Sequence, residues 1–393
     1  MVGDSLRVGS YNVPFILCLS MQNDHLYIFL MAFAAKTRLI GCITTLLFTL
    51  KLVSFVDAVP QVPCYFIFGD SLSDCGNNNK LQTLAKVNFL PYGVDYPGRV
   101  STGRFTNGKT AVDFLAEFLG FDHHMPAFAN VQGNGVLQGV NYASAGSGIL
   151  NDTGKIVGGR FSLLQQIDNH KAIIARIKQI QGNNDATTNA YLGKCMYTVN
   201  IGSNDYEGNY LLSPAAKRPA PPDKWAAQLI TAYSDALKIL HGLGARKVAI
   251  WGLGSLGCEP SQVIQLKPTT PSGCVDDINQ MVSLFDNSLP KLVDNLSKTL
   301  PGAHFVYVNM ANTNPGNNPA ALGVKITEQP CCKVGEAGSC IPNSPPCPNR
   351  NDYSYFDIYH PTEKANLHGI LKAYNSTQPK DVYPINLSKL ALL

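Results

Sequence analysis

The stretch Tyr65-Phe66-Ile67-Phe68-Gly69-Asp70-Ser71-Leu72-Ser73-Asp74, continuing through Gly76-Asn77-Asn78-Asn79, decides how the chain is read. Tyr65 to Phe68 make a short buried-strand signal that stops at a glycine. A serine and two aspartates follow, then a Gly/Asn cluster with the chemistry of a loop. Parallel α/β sheets keep their chemistry at the carboxyl edge of the strands, and this strand ends there on a small hydroxyl. A second reading makes Asp70 and Ser71 only caps for the next helix. The stretch alone does not separate the two; residues around position 360 do.

Downstream, Val112, Leu115, Ala116 and Leu119 recur at helical spacing before a stop at Gly120. Gly139 to Ser144 reads as a second strand, breaking into the small-residue turn Ala145-Gly146-Ser147-Gly148. Ser162 with Gln165 makes a capping box for a long helix. Cys195 to Ile201 reads as a third strand ending at Gly202-Ser203-Asn204-Asp205, Lys247 to Trp251 as a fourth and His304 to Val308 as a fifth. Between these strands lie a helix capped by Asp223 and one across Ile278 to Leu300, interrupted at Pro290. This alternation predicts one parallel sheet with helices on both faces. From Asn312 to Asn351 the chain is rich in Pro, Gly, Asn and Cys, and so long a loop is functional or cross-linked. A last helix is expected from Thr362 to Ala373.

The front of the chain is of a different kind. Met31 opens a segment with Lys36 and Arg38, an apolar run from Leu39 to Val56, and a small-residue exit at Val56-Asp57-Ala58. That order describes a secretory signal over residues 31–58, rather than a membrane anchor, and Lys51 interrupts the apolar run. Residues 1–30 fit no signal and are read as an upstream extension, which leaves residues 59–393 as a single domain. The formal net charge of +4 is too mild, and too scattered, to argue for nucleic acid. No stable membrane span is expected once the signal is removed, and the chain is read as a monomer.

Of 11 cysteines, Cys18 and Cys42 fall in the removed segment, leaving an odd number and so at least one thiol unpaired within the chain. Cys331, Cys332, Cys340 and Cys347 cluster in the long loop and suggest disulfide staples formed in an oxidising compartment. Zinc-ribbon spacing is absent, so no metal and no cofactor is implied. Sequons at Asn151, Asn295, Asn375 and Asn386 agree with a secreted glycoprotein.

A serine hydroxyl is a poor nucleophile until a base takes its proton, and a neutral imidazole is the usual base near neutral pH. That imidazole needs an acceptor to hold it in one tautomer. Among the histidines beyond the leader only His360 has a carboxylate, Asp357, three residues before it, and Pro361 fixes the chain next. Acyl transfer also needs donors aimed at an oxyanion. The Gly146/Gly148 turn and Gly202-Ser203-Asn204, both at expected strand ends, can supply them; equally, the glycines can serve only the turn and Asn204 only a cap.

Four segments together resemble the GDSL esterase/lipase family, or SGNH hydrolases, in its large secreted plant branch. They are Phe68-Gly69-Asp70-Ser71-Leu72-Ser73-Asp74 with Gly76-Asn77-Asn78-Asn79, then Val140 to Ile149, Asn200 to Tyr206, and Phe356 to Glu363. A fifth, Leu243 to Lys247 through Gly257-Cys258-Glu259-Pro260, is similar to that branch as well. The resemblance implies Ser71 as nucleophile, His360 as base and then acid, and Asp357 as its orienter. It implies an oxyanion hole of the Ser71 backbone N–H, Asn204 and a glycine, with Gly148 preferred and Gly146 the alternative. It further implies a flavodoxin-like α/β/α sandwich of five parallel strands, and a secreted esterase in the cell wall or apoplast acting on lipid or other acyl esters. An acyltransferase using the same three residues, or a silent binding protein on the same scaffold, is the alternative. Cys75 stands where this branch usually has Asn, and Phe356 where Trp is commoner.

Overall fold

The computed structural model describes residues 59–313 and 323–393, together with the helical pair Lys36–Thr37. The expected extension over 1–30 and signal over 31–58 lie outside the described residues, that pair apart. Pro60–Leu393 form one compact unit.

Its centre is a six-stranded sheet. Strands β1 (Tyr65–Gly69), β2 (Gly139–Asn141), β3 (Met196–Asn200), β4 (Lys247–Trp251), β5 (His304–Val308) and the later Val382–Tyr383 lie in the order β2-β1-β3-β4-β5-Val382–Tyr383. The first five pair in parallel, as expected, and the last joins β5 antiparallel. That edge pairing spans only two residues and carries no periodic signal, so sequence pattern gives no sign of it. A separate two-stranded sheet pairs β6 (Ile326–Pro330), inside the long loop, with β7 (Tyr353–Tyr355), just past its end, and with these named, Val382–Tyr383 is β8.

Strand periodicity divides the core. Phe66, Phe68, Tyr197, Val199, Val248 and Ile250 turn to one face, where they meet residues of the helices Leu163–Ile180, Pro222–Gly242, Asp276–Asp286 and Leu289–Thr299. Tyr65, Ile67, Met196, Ala249 and Trp251 turn to the other, against Ala111–Phe118, Glu363–Asn375 and Leu387–Leu392. This is a three-layer α/β/α sandwich. Phe66 and Phe68 are wholly enclosed, and burying each contributes on the order of 2–3 kcal/mol, so the strand that delivers Ser71 is strongly anchored.

Local chemistry sets the helix ends. Ser162 and Gln165 form the expected capping box, and Thr362 caps Glu363–Asn375. Asp223 is not a cap: the helix starts at Pro222, and Asp223 sits in its first turn, where a negative charge meets the exposed N–H groups. The span expected from Ile278 to Leu300 is two helices, because Pro290 lacks an N–H and takes a first-turn position of the second.

Four disulfides, Cys64–Cys195, Cys258–Cys274, Cys331–Cys347 and Cys332–Cys340, join nearly all the cysteines beyond residue 58. Cys75 is left as a buried thiol. Cys64–Cys195 ties the residues entering β1 and β3, and the two in the long loop staple it as its composition suggested. Among the described residues no helix is long and apolar enough to cross a membrane.

Candidate active site

Strand order decides which loops meet. Strand β1 lies between β2 and β3, with Gly69 registered against Asn200, so the loop after β1 emerges between the turns after β2 and β3. Gly69 has to be glycine: a Cβ there would lie 2.5 Å from the Asn200 carbonyl oxygen. Its N–H donates to Gln166 Oε1 (2.9 Å), and its carbonyl accepts from Gln166 Nε2 (2.8 Å) and Ser147 Oγ (3.0 Å).

Beyond Gly69 the loop is held by side chains in place of a ladder. Asp70 accepts from the Leu72 N–H (3.0 Å) and from Ser203 Oγ (3.1 Å). Asp74 accepts from the N–H groups of Gly76 (2.7 Å), Asn77 (2.8 Å) and Ala145 (3.1 Å). Asn77 Nδ2 donates to the carbonyls of Asn141 and Ala143, and Asn78 Nδ2 to those of Ala85 and Ala145. The Gly/Asn cluster thus bolts the Ser71 loop to the turn after β2. Burial pushes the carboxyl of Asp70 up to about 7 and that of Asp74 up to about 6.

Asp357 and His360 come from the turn after β7. Asp357 is wholly buried, and its Oδ1 accepts from the backbone N–H groups of Tyr359 (2.9 Å) and His360 (2.8 Å). His360 Nδ1 stands 2.8 Å from both carboxylate oxygens. A carboxylate only accepts, so Nδ1 carries the proton and Nε2 is left with a lone pair. That Nε2 is 2.8 Å from Ser71 Oγ. The Phe105 ring, 4.7 Å from the imidazole by centroids, covers one face of it.

Tyr92 was not found by sequence reasoning. Its hydroxyl donates to Asp357 Oδ2 (2.6 Å) and accepts from the Cys340 N–H (2.9 Å). Nothing around it in the irregular stretch before Gly108 marks it, since its partners lie about as far off in sequence as His360 does from Ser71. Gln166 was missed for the same reason: it follows the capping-box residue and reads as ordinary helix.

Ser71, Gly146 and Asn204 line one cleft of about 490 Å³ together with His360. Among the described residues, the N–H groups of Ser71 and Gly146 donate to no protein acceptor. Gly146 adopts φ +79°, a left-handed turn that suits glycine. Asn204 Nδ2 donates once to the Ser147 carbonyl (3.0 Å), leaving its second amide hydrogen unassigned. Gly148 is placed differently from the expectation. It is packed behind the cleft wall, where a Cβ would fall 2.4 Å from Thr153 Cγ2 and 2.5 Å from Asp205 Oδ2. Asp205 there organises the segment after the turn, accepting from the Ile149 and Leu150 N–H groups and from Thr153 Oγ1. Gly146, and not Gly148, is among the residues that line the cleft with Ser71.

The sequons also divide. Asn151, Asn295 and Asn375 are exposed. Asn386 is buried; its Oδ1 accepts from the Lys389 N–H and its Nδ2 donates to the Asn375 carbonyl. A glycan on that nitrogen would displace a helix cap from the core, so Asn386 is withdrawn as a glycosylation site.

Similarity to known proteins covers most of the chain. The family model described as GDSL-like Lipase/Acylhydrolase matches residues 65–368. One GDSL esterase/lipase of Arabidopsis thaliana is 43% identical over 345 residues, covering 86% of this chain and 94% of its own length. A second from that plant is 42% identical over 345 residues, covering 86% and 93%. Among solved structures a carbohydrate esterase overlays with a TM-score of 0.33 at 14% identity, covering 80% of this chain and 67% of its own. From the span of the family match and the identity to these relatives, the chain belongs to the GDSL-like lipase/acylhydrolase family and is a carboxylic ester hydrolase.

Proposed function

We propose that the protein is a secreted serine esterase that cleaves neutral acyl esters through an acyl-enzyme on Ser71. The observation that carries the reading is the 2.8 Å contact between Ser71 Oγ and His360 Nε2 across 289 residues of sequence. His360 takes the hydroxyl proton as the oxygen attacks the ester carbonyl carbon. Asp357 holds the imidazole in the tautomer that leaves Nε2 free, and balances the charge it gains. The carbonyl oxygen becomes an oxyanion, met by the N–H groups of Ser71 and Gly146 and by the Asn204 amide. As the tetrahedral species collapses, the bond to the alcohol oxygen breaks and His360 returns the proton to that oxygen. Water then attacks the acyl-serine by the same route, releasing the acid and restoring the serine.

Apolar lining of the cleft, including Leu72, Phe105, Leu253 and Met310, supports an acyl chain as the bound group. Disulfides, exposed sequons at Asn151, Asn295 and Asn375, and the leader expected over residues 31–58 support secretion and glycosylation. The test is hydrolysis of a short p-nitrophenyl ester by Ser71→Ala and His360→Ala. Loss of about a thousandfold or more is expected in each, with the circular dichroism spectrum unchanged. Turnover near the wild-type rate in either variant would defeat the reading.

A further inference from the structure

Three carboxyl groups that the reaction above does not use line the cleft: Glu336, exposed in the long loop, and the pair Glu207 and Glu259. Glu207 lies three residues past Asn204, on the turn after β3, and Glu259 directly follows the disulfide-bonded Cys258 at the start of the helix Pro260–Leu266. Both line the cleft wall with His360 and Tyr359, and the two hydrogen-bond to each other. Ser261 Oγ donates to Glu207 Oε1 at 3.4 Å. Glu259 Oε2 is enclosed, and no N–H or O–H group of the described residues reaches it. Two carboxylates cannot satisfy each other, since both only accept; a proton held between them resolves the contact and leaves one charge on the pair. Burial raises both groups, and Glu259 further through the neighbouring Glu207 charge. The other ionisable groups that act on the pair are Asp70, Asp357 and His360, with Tyr355 and Tyr359 alongside.

Position tells which half of a substrate the pair meets. His360 returns its proton to the departing alcohol oxygen, so the alcohol leaves past the imidazole. The wall next to His360 therefore faces the alcohol, and the glutamates belong to it: Ser261, two residues past Glu259, donates its backbone N–H to the Ile358 carbonyl (3.0 Å) in the His360 segment. The stretch beside Gly146 is different in kind. Leu84, Ala85, Ile156 and Val157 line it, and Ala85 and Val157 are close enough that a Cβ on Gly146 would touch them. One cleft thus has an apolar end next to the oxyanion turn and an acidic end next to the base.

We propose that Glu207 and Glu259 form the alcohol subsite, selecting esters of neutral polyhydroxy alcohols over esters of simple alkyl or anionic alcohols. The pair supplies carboxyl oxygens that accept from hydroxyl groups, and its single charge repels a phosphate or carboxylate on the alcohol. This rests on the serine-esterase reading, whose Ser71→Ala test stands apart from the one that follows.

The experiment compares kcat/KM for a 1-monoacylglycerol with that for the propyl ester of the same fatty acid, which has the same carbon skeleton without the two hydroxyls. Charge-assisted hydrogen bonds predict a ratio of about tenfold for the wild type. In Glu207→Ala that ratio falls at least about threefold, because one hydroxyl acceptor is gone while Glu259 keeps the single charge of the pair. Glu207→Gln with Glu259→Gln, which keeps shape and removes that charge, is the second variant should the alanine protein fail to fold, and in it turnover of the glycerol-3-phosphate ester of the same acid rises relative to the propyl ester. A wild-type ratio near one, or ratios that stay within about twofold of wild type in the variants that fold, would overturn the subsite. Turnover of the propyl ester by Ser71→Ala would instead strike the esterase reading itself.

Discussion

The two segments that meet at the site are held by unlike chemistry. The Ser71 loop leaves the middle of a parallel sheet, and neighbouring strand ends are within reach of its polar side chains. Asp74, Asn77 and Asn78 use that proximity to fasten it to the turn after β2. The segment carrying Asp357 and His360 follows a three-residue strand of a two-stranded sheet and has no such frame. It is tied by Cys331–Cys347 and Cys332–Cys340, with Cys331 and Cys332 donating backbone N–H groups to the Tyr355 and Phe356 carbonyls. A loop beside a sheet can be fixed by hydrogen bonds alone; one without a sheet needs covalent closure to lower the entropy of its open state.

That contrast breaks most visibly when the covalent closure is removed. Cys332→Ala with Cys340→Ala opens a short loop, which costs about 2–3 kcal/mol of stability by chain entropy. Urea unfolding measures that loss. The esterase rate falls with it even where the protein stays folded, because the His360 segment is the part released. Full activity in the folded double variant would show that hydrogen bonds suffice on that side too.

The hydrogen-bonded side responds to pH instead. Burial raises Asp70 from the ordinary carboxyl value of 3.8 to about 7. The folded protein therefore holds this proton more tightly than the unfolded chain does. Stability from this group is fully present below about pH 4 and is lost as pH rises through about 7. Asp70→Asn cannot ionise, so its stability lacks this limb. Between pH 4.5 and 7.5 the wild type is expected to lose roughly 1–3 kcal/mol relative to the variant in urea unfolding. Parallel pH profiles would place the Asp70 proton elsewhere.

Sequence periodicity made most of the sandwich legible, because each parallel strand is buried on both faces and reads as an apolar run. Strands Lys247–Trp251 and His304–Val308 carry the expected bounds for that reason. The two-residue β8 and the pair β6–β7 were illegible, since neither is long enough or apolar enough to show a period. At the site, residue type and order singled out Ser71, His360 and Asp357. The choice between Gly146 and Gly148 was not legible: both are glycines in one turn, and only the Asp205 contacts show which of them is walled off. Tyr92, Glu207 and Glu259 were missed because their partners are set by tertiary packing across unrelated loops.

Tyr92 is where the two kinds of fastening meet, and its hydroxyl gives the sharpest small test of the comparison. It donates to Asp357 and accepts from the backbone of Cys340, so it links the acid to the disulfide-closed loop. Tyr92→Phe keeps the ring packed against Phe105 and Phe356 and removes only the oxygen. Asp357 keeps its two backbone donors and the imidazole, so the carboxylate stays in place with one charge-assisted bond fewer. A loss of about tenfold in kcat follows, with KM little changed, since the group never meets the substrate. Stability falls by about 1–2 kcal/mol, because the Cys340 N–H loses its acceptor in the same step. A kcat equal to wild type, with that stability loss intact, would mean the disulfide-closed loop orients Asp357 without help from the hydroxyl, and would assign Tyr92 to holding the loop rather than the acid.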